Sequence, residues 1–298
     1  MSRHRASVLG GIGFVVLATA CFAMLDTTAK YLSLSVPILM AIWVRYLVQA
    51  ILSTAVLLPV HGRALFHTAQ PRLQLLRGLL LLASTVVAFY SLALVPVAEF
   101  TAILMVTPLA VTVLAVTVLK DKVGSLHWLF VATGFAGTLI IVRPGQSELG
   151  WAGLLPLGCV ATNSAFQLLT SHLGKTEKAA TTHFFSTWVG ALLLSLALPF
   201  IWSAVDSPRL WALMLLMGAV GAAGHFALTL AYERARAVTL VPYLYSSIAF
   251  SVFGGWLVFA QLPDAWAWVG IGLITVSGIC GAWLSAREHS VIAQLPES

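Results

Sequence analysis

The stretch VLGGIGFVVLATACFAMLDTTAKYL, residues 8–32, carries no formal charge from Val8 to Leu25 and then places Asp26 and Lys30 one helical turn apart. A helix rises about 1.5 Å per residue and the hydrocarbon core of a bilayer is about 30 Å thick, so roughly 20 mainly apolar residues make a span. The segment reads as a membrane-crossing helix whose two charges either mark its end or act inside the membrane. The preceding MSRHRAS has the basic start of a signal peptide. The apolar run outlasts a signal's usual length and offers no convincing cleavage site, so it is expected to be a retained first helix.

The rest of the chain supports that reading. Its 298 residues are 60% hydrophobic and only 9% charged, with a mean hydropathy of +0.97, a balance that belongs in a bilayer. The net charge of +6 comes from Lys and Arg scattered through short connections. They form no stripe with interleaved aromatics, so no nucleic acid partner is expected. Cys21, Cys159 and Cys280 are far apart inside apolar runs, which implies neither a disulfide framework nor a metal site. No cofactor and no catalytic residue is expected.

Ten segments are long and apolar enough to span: 8–30, 37–58, 73–95, 98–119, 125–143, 150–171, 180–202, 209–232, 237–260 and 266–285. Short connections holding Pro37, Pro59, Pro96, Pro144, Pro208 and Pro263 separate them. Cytoplasmic loops retain Lys and Arg. With the N-terminus inside, Arg3, Arg5, Arg63, Arg72, Arg77, Lys120, Lys122, Lys175, Lys178, Arg234, Arg236 and Arg287 gather at cytoplasmic ends. Only Lys30, Arg143 and Arg209 lie at external ends, with Arg45 inside a span. The expectation is an all-α integral membrane protein of ten transmembrane helices with both termini cytoplasmic.

The chain also echoes itself. SLALVPVAEFTAILMVTPLA (91–110) lies against TLAYERARAVTLVPYLYSSI (229–248) at a shift of about 138, and Trp128 aligns with Trp268 at about 140. Both halves open with a polar-striped helix, Thr19, Ala23, Asp26 and Lys30 in one and Cys159, Asn163, Gln167 and Thr170 in the other. Five spans per repeat make the copies inverted, an architecture that lets one central site open to either side in turn. The expected organisation is a first five-helix repeat over 1–146 and a second over 147–298.

The ACFAMLDTTAKYL first span, the PILMAIWVRYLVQA second span with its internal Arg45, and the hairpin YSLALVPVAEFTAILMVTPLAVTVLAVTVLKDKV resemble the drug/metabolite transporter superfamily. Within it the chain is similar to EamA-type ten-helix carriers, most of all YddG-type amino-acid exporters, over residues 8 to 286. The resemblance implies a location in the bacterial inner membrane, a cavity between the halves, and fifth and tenth spans that serve as scaffold or dimer-facing elements. A monomer and a homodimer both fit.

Several polar residues are candidates for the substrate site. Asp26 and Lys30 share a face and could pair. In one reading Lys30 snorkels to the outer interface with Asp26 as partner; in the other Asp26 lines the outer cavity and takes an ammonium or a proton. Arg45 sits about 12 Å into its span, where it either pairs with Asp26 or recognises a carboxylate, and Gln49 extends its face one turn deeper. His225, Thr229 and Tyr232 form one stripe on the eighth span, where His225 is either a satisfied buried histidine or a cavity residue able to carry a proton. His172 and His183 are read as solvated residues near cytoplasmic ends. Asn163 and Gln167 must bond across helices or to substrate. Trp188 could line the cavity, Tyr243 and Tyr245 are candidate aromatic walls, and Tyr90 is either a wall or an interfacial belt residue. Pro108 and Pro242 are either static kinks or hinges of a gate. Glu99 complements its helix N-terminus or takes part in coupling.

A secondary carrier exporting amino acids or similar small metabolites by alternating access fits best. No GxxxxGK[ST] motif would let the chain use ATP directly. A membrane-embedded enzyme is the second class, but HExxH, GxSxG and close carboxylate clusters are absent from the sequence. A channel would need rings of like groups from symmetric subunits. A phosphorylated substrate would favour several cavity cations, so a zwitterion suits the sparse charge better, with nucleosides, drugs and other metabolites as alternatives.

Overall fold

A computed structural model describes residues 2–118, 125–143, 150–174, 176–234, 240 and 243–292 of the chain. The helices are α1 (Ser2–Leu32), α2 (Ile38–His61), α3 (Pro71–Leu94), α4 (Val97–Leu104), α5 (Thr107–Val118), α6 (Ser125–Val142), α7 (Leu155–Leu173), α8 (Ala179–Ile201), α9 (Pro208–Arg234), α10 (Ser246–Phe259) and α11 (Ala265–Ile292). Single 3-10 turns, Gly62–Phe66 and Gly150–Leu154, precede α3 and α7. Among the described residues eight helical segments are long and apolar enough to cross a membrane, and Trp128–Val142 and Ser246–Phe259 are shorter apolar helices. The ten-span, all-helical reading therefore stands. Lys120, Lys122, Lys175, Arg236, Thr239 and the expected hinge Pro242 lie outside the described residues, as do the side chains of Arg3, Arg5 and Arg287.

The fourth span is interrupted next to Pro108, one turn ahead of it. It breaks at Met105 and Val106, ahead of Pro108, which occupies the first turn of α5, a position where proline is tolerated. The Leu104 carbonyl, which a residue other than proline at 108 would bond, instead accepts Thr107 Oγ1 at 2.6 Å. Met105 O accepts the Tyr245 hydroxyl at 3.4 Å. Non-helical backbone at membrane depth persists only where protein satisfies it, and the ninth span supplies that cover.

Packing follows a reciprocal pattern. α1 lies on α9 and α10, α7 on α3, α4 and α5, α2 on α8 and α9, α3 on α8, and α6 on α11. Exchanging α1–α3 with α7–α9, α4 and α5 with α10, and α6 with α11 returns the same pairs. Lipid is as apolar as leucine, so close packing of small residues takes over the part that the hydrophobic effect plays in water. Gly78 of α3 faces Val189 of α8, and Gly218 of α9 faces Val48 of α2; in both cases a built Cβ would stand 2.6 Å from the valine Cβ. The two contacts are counterparts at a shift of 140 to 141. One apolar core gathers Met40, Ile42, Tyr46, Phe89, Leu92 and Met217, and a second gathers Ile103, Ile141, Tyr245 and Ile274. Between the halves runs a column of polar side chains.

Candidate functional site

Amphipathic spacing on α2, α3, α8 and α9 turns polar residues toward one another at the middle of the bundle. Arg45, Gln49 and Ser53 repeat every four residues along α2 and lie on one face. Arg45 Nη1 donates to Thr85 Oγ1 of α3 at 3.4 Å, and its guanidinium stands 5.6 Å from the Tyr46 ring and 5.8 Å from that of Phe89. Its buried Nε has no hydrogen-bond partner among the described residues. Gly221 of α9 makes the space for this group: a Cβ there would come within 3.7 Å of Arg45 Nε and 3.9 Å of Gln49 Oε1.

The column continues through two histidines. His225 lies edge-on to Phe22 at 5.0 Å and 5.9 Å from the ring of His183, whose Nε2 is 3.0 Å from Ser53 Oγ. His183 thus belongs to the interior pair, and its reading as a solvated residue is corrected. Arg77, expected at a cytoplasmic end, turns inward as well. It is buried, donating through Nε to Thr170 Oγ1 at 2.7 Å and through Nη1 to Thr182 O at 2.8 Å and to Ser186 Oγ. The Phe166 ring covers its guanidinium at 4.5 Å.

Asp26 and Lys30 do not pair. Lys30 Nζ donates to Leu92 O at 2.9 Å and Val95 O at 2.8 Å, closing the C-terminal carbonyls of α3 that no helical N–H can reach. It is buried instead of reaching the interface. Asp26 forms no ion pair or hydrogen bond among the described residues, although its charge and that of Arg45 are close enough to act on each other.

Other expected site residues are dispersed. Gln167 Nε2 donates to Asn163 Oδ1 at 3.0 Å along α7, so the amides serve each other instead of a neighbouring helix. Trp188 Nε1 donates to Thr54 Oγ1 at 2.9 Å beside the first core. Tyr90 is exposed and, with Ile38, Leu39, Phe200 and Trp202, lines a separate cavity of about 390 Å³ between the ends of α2, α3 and α8. Tyr243 is exposed at the start of the ninth span, whereas Tyr245 is buried against Met105 and Gly278. Neither touches the column. At the far end of α6, Arg143 pairs with Asp264 at 2.5 Å, and the Ala267 amide, 2.7 Å from Asp264 Oδ1, with the Arg143 charge, holds that carboxyl below the usual range.

Residues 9–143 match the EamA-like transporter family. A riboflavin transporter of Rhizobium johnstonii is 31% identical over 276 residues, 90% of this chain and 89% of that protein. The chain belongs to the EamA-like transporter family. A riboflavin transporter of Vibrio cholerae is 28% identical over 90% of this chain and 91% of its own length, and the pseudopaline exporter CntI of Pseudomonas aeruginosa is 26% identical over 90% and 94%. A solved crystal structure, 18% identical, superposes with a TM-score of 0.64 over 95% of this chain and 99% of its own. This EamA protein is accordingly a multi-pass transporter of the bacterial inner membrane, not an enzyme.

Proposed function

We propose that this EamA carrier moves riboflavin, or a planar heteroaromatic of similar size and polarity, by alternating access through the central polar column. The observation that carries the substrate class is the likeness to riboflavin transporters along nine-tenths of the chain. The column's chemistry suits such a ligand. Phe22, Phe89 and Phe166 stand beside the polar groups and can receive a π face. Gln49, His183, His225 and Arg45 offer the donors and acceptors that imide edges and hydroxyls require. The reciprocal helix packing supports treating 1–146 and 147–298 as inverted repeats about this site.

Export of amino acids is a second reading, favoured by an acidic and a basic residue, Asp26 on α1 and Arg45 on α2, inside the bundle. A zwitterion would bring an ammonium to the first and a carboxylate to the second. Binding separates the two. Riboflavin fluorescence titrated with purified carrier should be quenched saturably, with affinity about tenfold weaker in His225→Ala. Displacement by tryptophan but not by a flavin analogue would move the assignment to amino acids. Absence of quenching by folded protein would remove riboflavin.

A further inference from the structure

The end of the bundle that the basic residues assign to the cytoplasm is closed by two tiers of hydrogen bonds between the halves. The outer tier joins two loops. Glu177, in the connection between α7 and α8, places Oε1 2.7 Å from Thr68 Oγ1, 2.8 Å from Ala69 N and 3.2 Å from Gln70 N, while Gln70 Nε2 donates to Thr176 Oγ1 at 3.0 Å. α3 begins at Pro71, has no acidic residue in its own first turn and receives no side-chain cap from Gln70. A carboxylate from the other half therefore holds the loop that leads into α3 and lies at the positive end of that helix.

The inner tier lies two turns along. Arg77 ties α3 to Thr170 of α7 and to Thr182 and Ser186 of α8. All these partners are neutral, so the guanidinium is held by geometry, with no carboxylate to fix it. Between the tiers sits Gln74, fully buried with neither amide atom hydrogen-bonded. A buried amide without partners disfavours the arrangement that buries it, so this closure is bonded above and below and strained in the middle.

The Gly78 and Gly218 contacts fix the register of the opposite end. At a shift of 140, Gln74 corresponds to Met214 and Arg77 to Met217, both fully buried in the first apolar core. The closure next to Gly78 is thus polar and its counterpart next to Gly218 is packed by thioethers, while Trp43 Nε1 to Ser195 Oγ at 2.9 Å and Arg143 to Asp264 link the halves elsewhere at that opposite end.

We propose that Glu177, Thr68, Gln70 and Arg77 form the cytoplasmic gate of the carrier, a polar zipper between α3 and the α7–α8 hairpin that parts when the site opens inward. The zipper sets the balance between inward-open and outward-open states, because its bonds exist in only one of them. Releasing Glu177 shifts that balance inward. The proposal rests on the alternating-access reading but not on the identity of the substrate.

Cys159 supplies a native reporter. It is buried beside Ser84, about 16 Å of helical rise from Thr170 toward the far end of α7. In a Cys21→Ala, Cys280→Ala background, a membrane-impermeant thiol reagent is applied to inside-out vesicles and, separately, to right-side-out vesicles. Glu177→Gln removes the charge from three bonds while leaving an exposed loop able to fold, and Gln70→Ala loosens the same tier from the other side. Each variant should raise the labelling rate from the cytoplasmic face, about tenfold for Glu177→Gln, and lower it from the external face. A conserved two-state population demands the opposite signs. Unchanged rates in both variants, or a rise from both faces, overturns the gate: the first makes the contacts incidental and the second makes them general scaffold. Neither result depends on which solute is carried.

Discussion

Gly270→Leu is expected to leave almost no folded carrier, because α6 and α11 touch backbone to backbone. A Cβ at Gly270 would stand 2.6 Å from the carbonyl oxygen of Gly137 and 2.6 Å from Ile141 Cγ1, and a Cβ at Gly137 would stand 2.9 Å from the carbonyl oxygen of Gly270. A flexible side chain can rotate away from an intruding methyl group. A carbonyl inside a helix cannot, so the helices must part and the packed Ile141 and Ile274 with them. Overpacking typically costs about 1–3 kcal/mol, and with both partners rigid the upper end, ~3 kcal/mol, applies. Gly272, two residues away, has nothing within 4 Å of its Cβ position. Gly272→Leu should therefore survive heating in detergent like the parent chain, while Gly270→Leu loses its monodisperse peak on size exclusion. Equal survival of the two variants would show that the α6–α11 contact is not close.

The second large effect concerns the charges of α1 and α2. Arg45→Gln removes the cation whose field Asp26 feels, leaving a carboxylate within the bundle without compensation. Because the two groups are not in contact, the loss is that of a buried polar group left without compensation, about 1–3 kcal/mol. Arg45→Gln alone should lower thermal stability sharply, and Asp26→Asn in the same chain should recover most of the loss. Transport should fall at least about a hundredfold in both, since the double variant restores folding but not the two poles of the site. With Asp26→Asn alone as the fourth protein, the comparison is a double-mutant cycle. Additive losses would mean that the two charges act independently, and transport retained in the double variant would take them out of the site.

How far the sequence could be read depended on whether a feature was local. Span boundaries were legible because apolar runs end at Pro71, Pro208 and similar positions, and helices start where the sequence says they should. The break in the fourth span was legible as a consequence of Pro108, but its place was not. Proline disrupts the turn before it, so the discontinuity falls at Met105 and Val106. Arg45, Gln49 and His225 could be found from charge or polarity inside apolar helices. Arg77 and His183 were missed because each lies near the end of its span, where a charged or titratable residue ordinarily reaches water. Their partners Ser53, Thr170, Thr182 and Ser186 lie on other helices. A trace of signal was present, since Thr182, His183, Ser186 and Thr187 cluster on α8. Lys30 was misread for a related reason: i and i+4 spacing offers Asp26, but the free carbonyls of Leu92 and Val95 belong to a helix some sixty residues away.

Counterflow most directly tests the claim that a solute passes through the central column. Proteoliposomes loaded with unlabelled riboflavin are diluted into a trace of labelled riboflavin, and the internal label is followed in time. A transient overshoot above equilibrium is expected in the parent carrier, saturable in external riboflavin and lost in His225→Ala and Arg45→Gln/Asp26→Asn vesicles carrying equal amounts of folded protein. Overshoot of equal height in those variants would contradict the placement of the site. Label that merely equilibrates without overshoot, with riboflavin and with amino acids alike, would contradict a carrier for either solute.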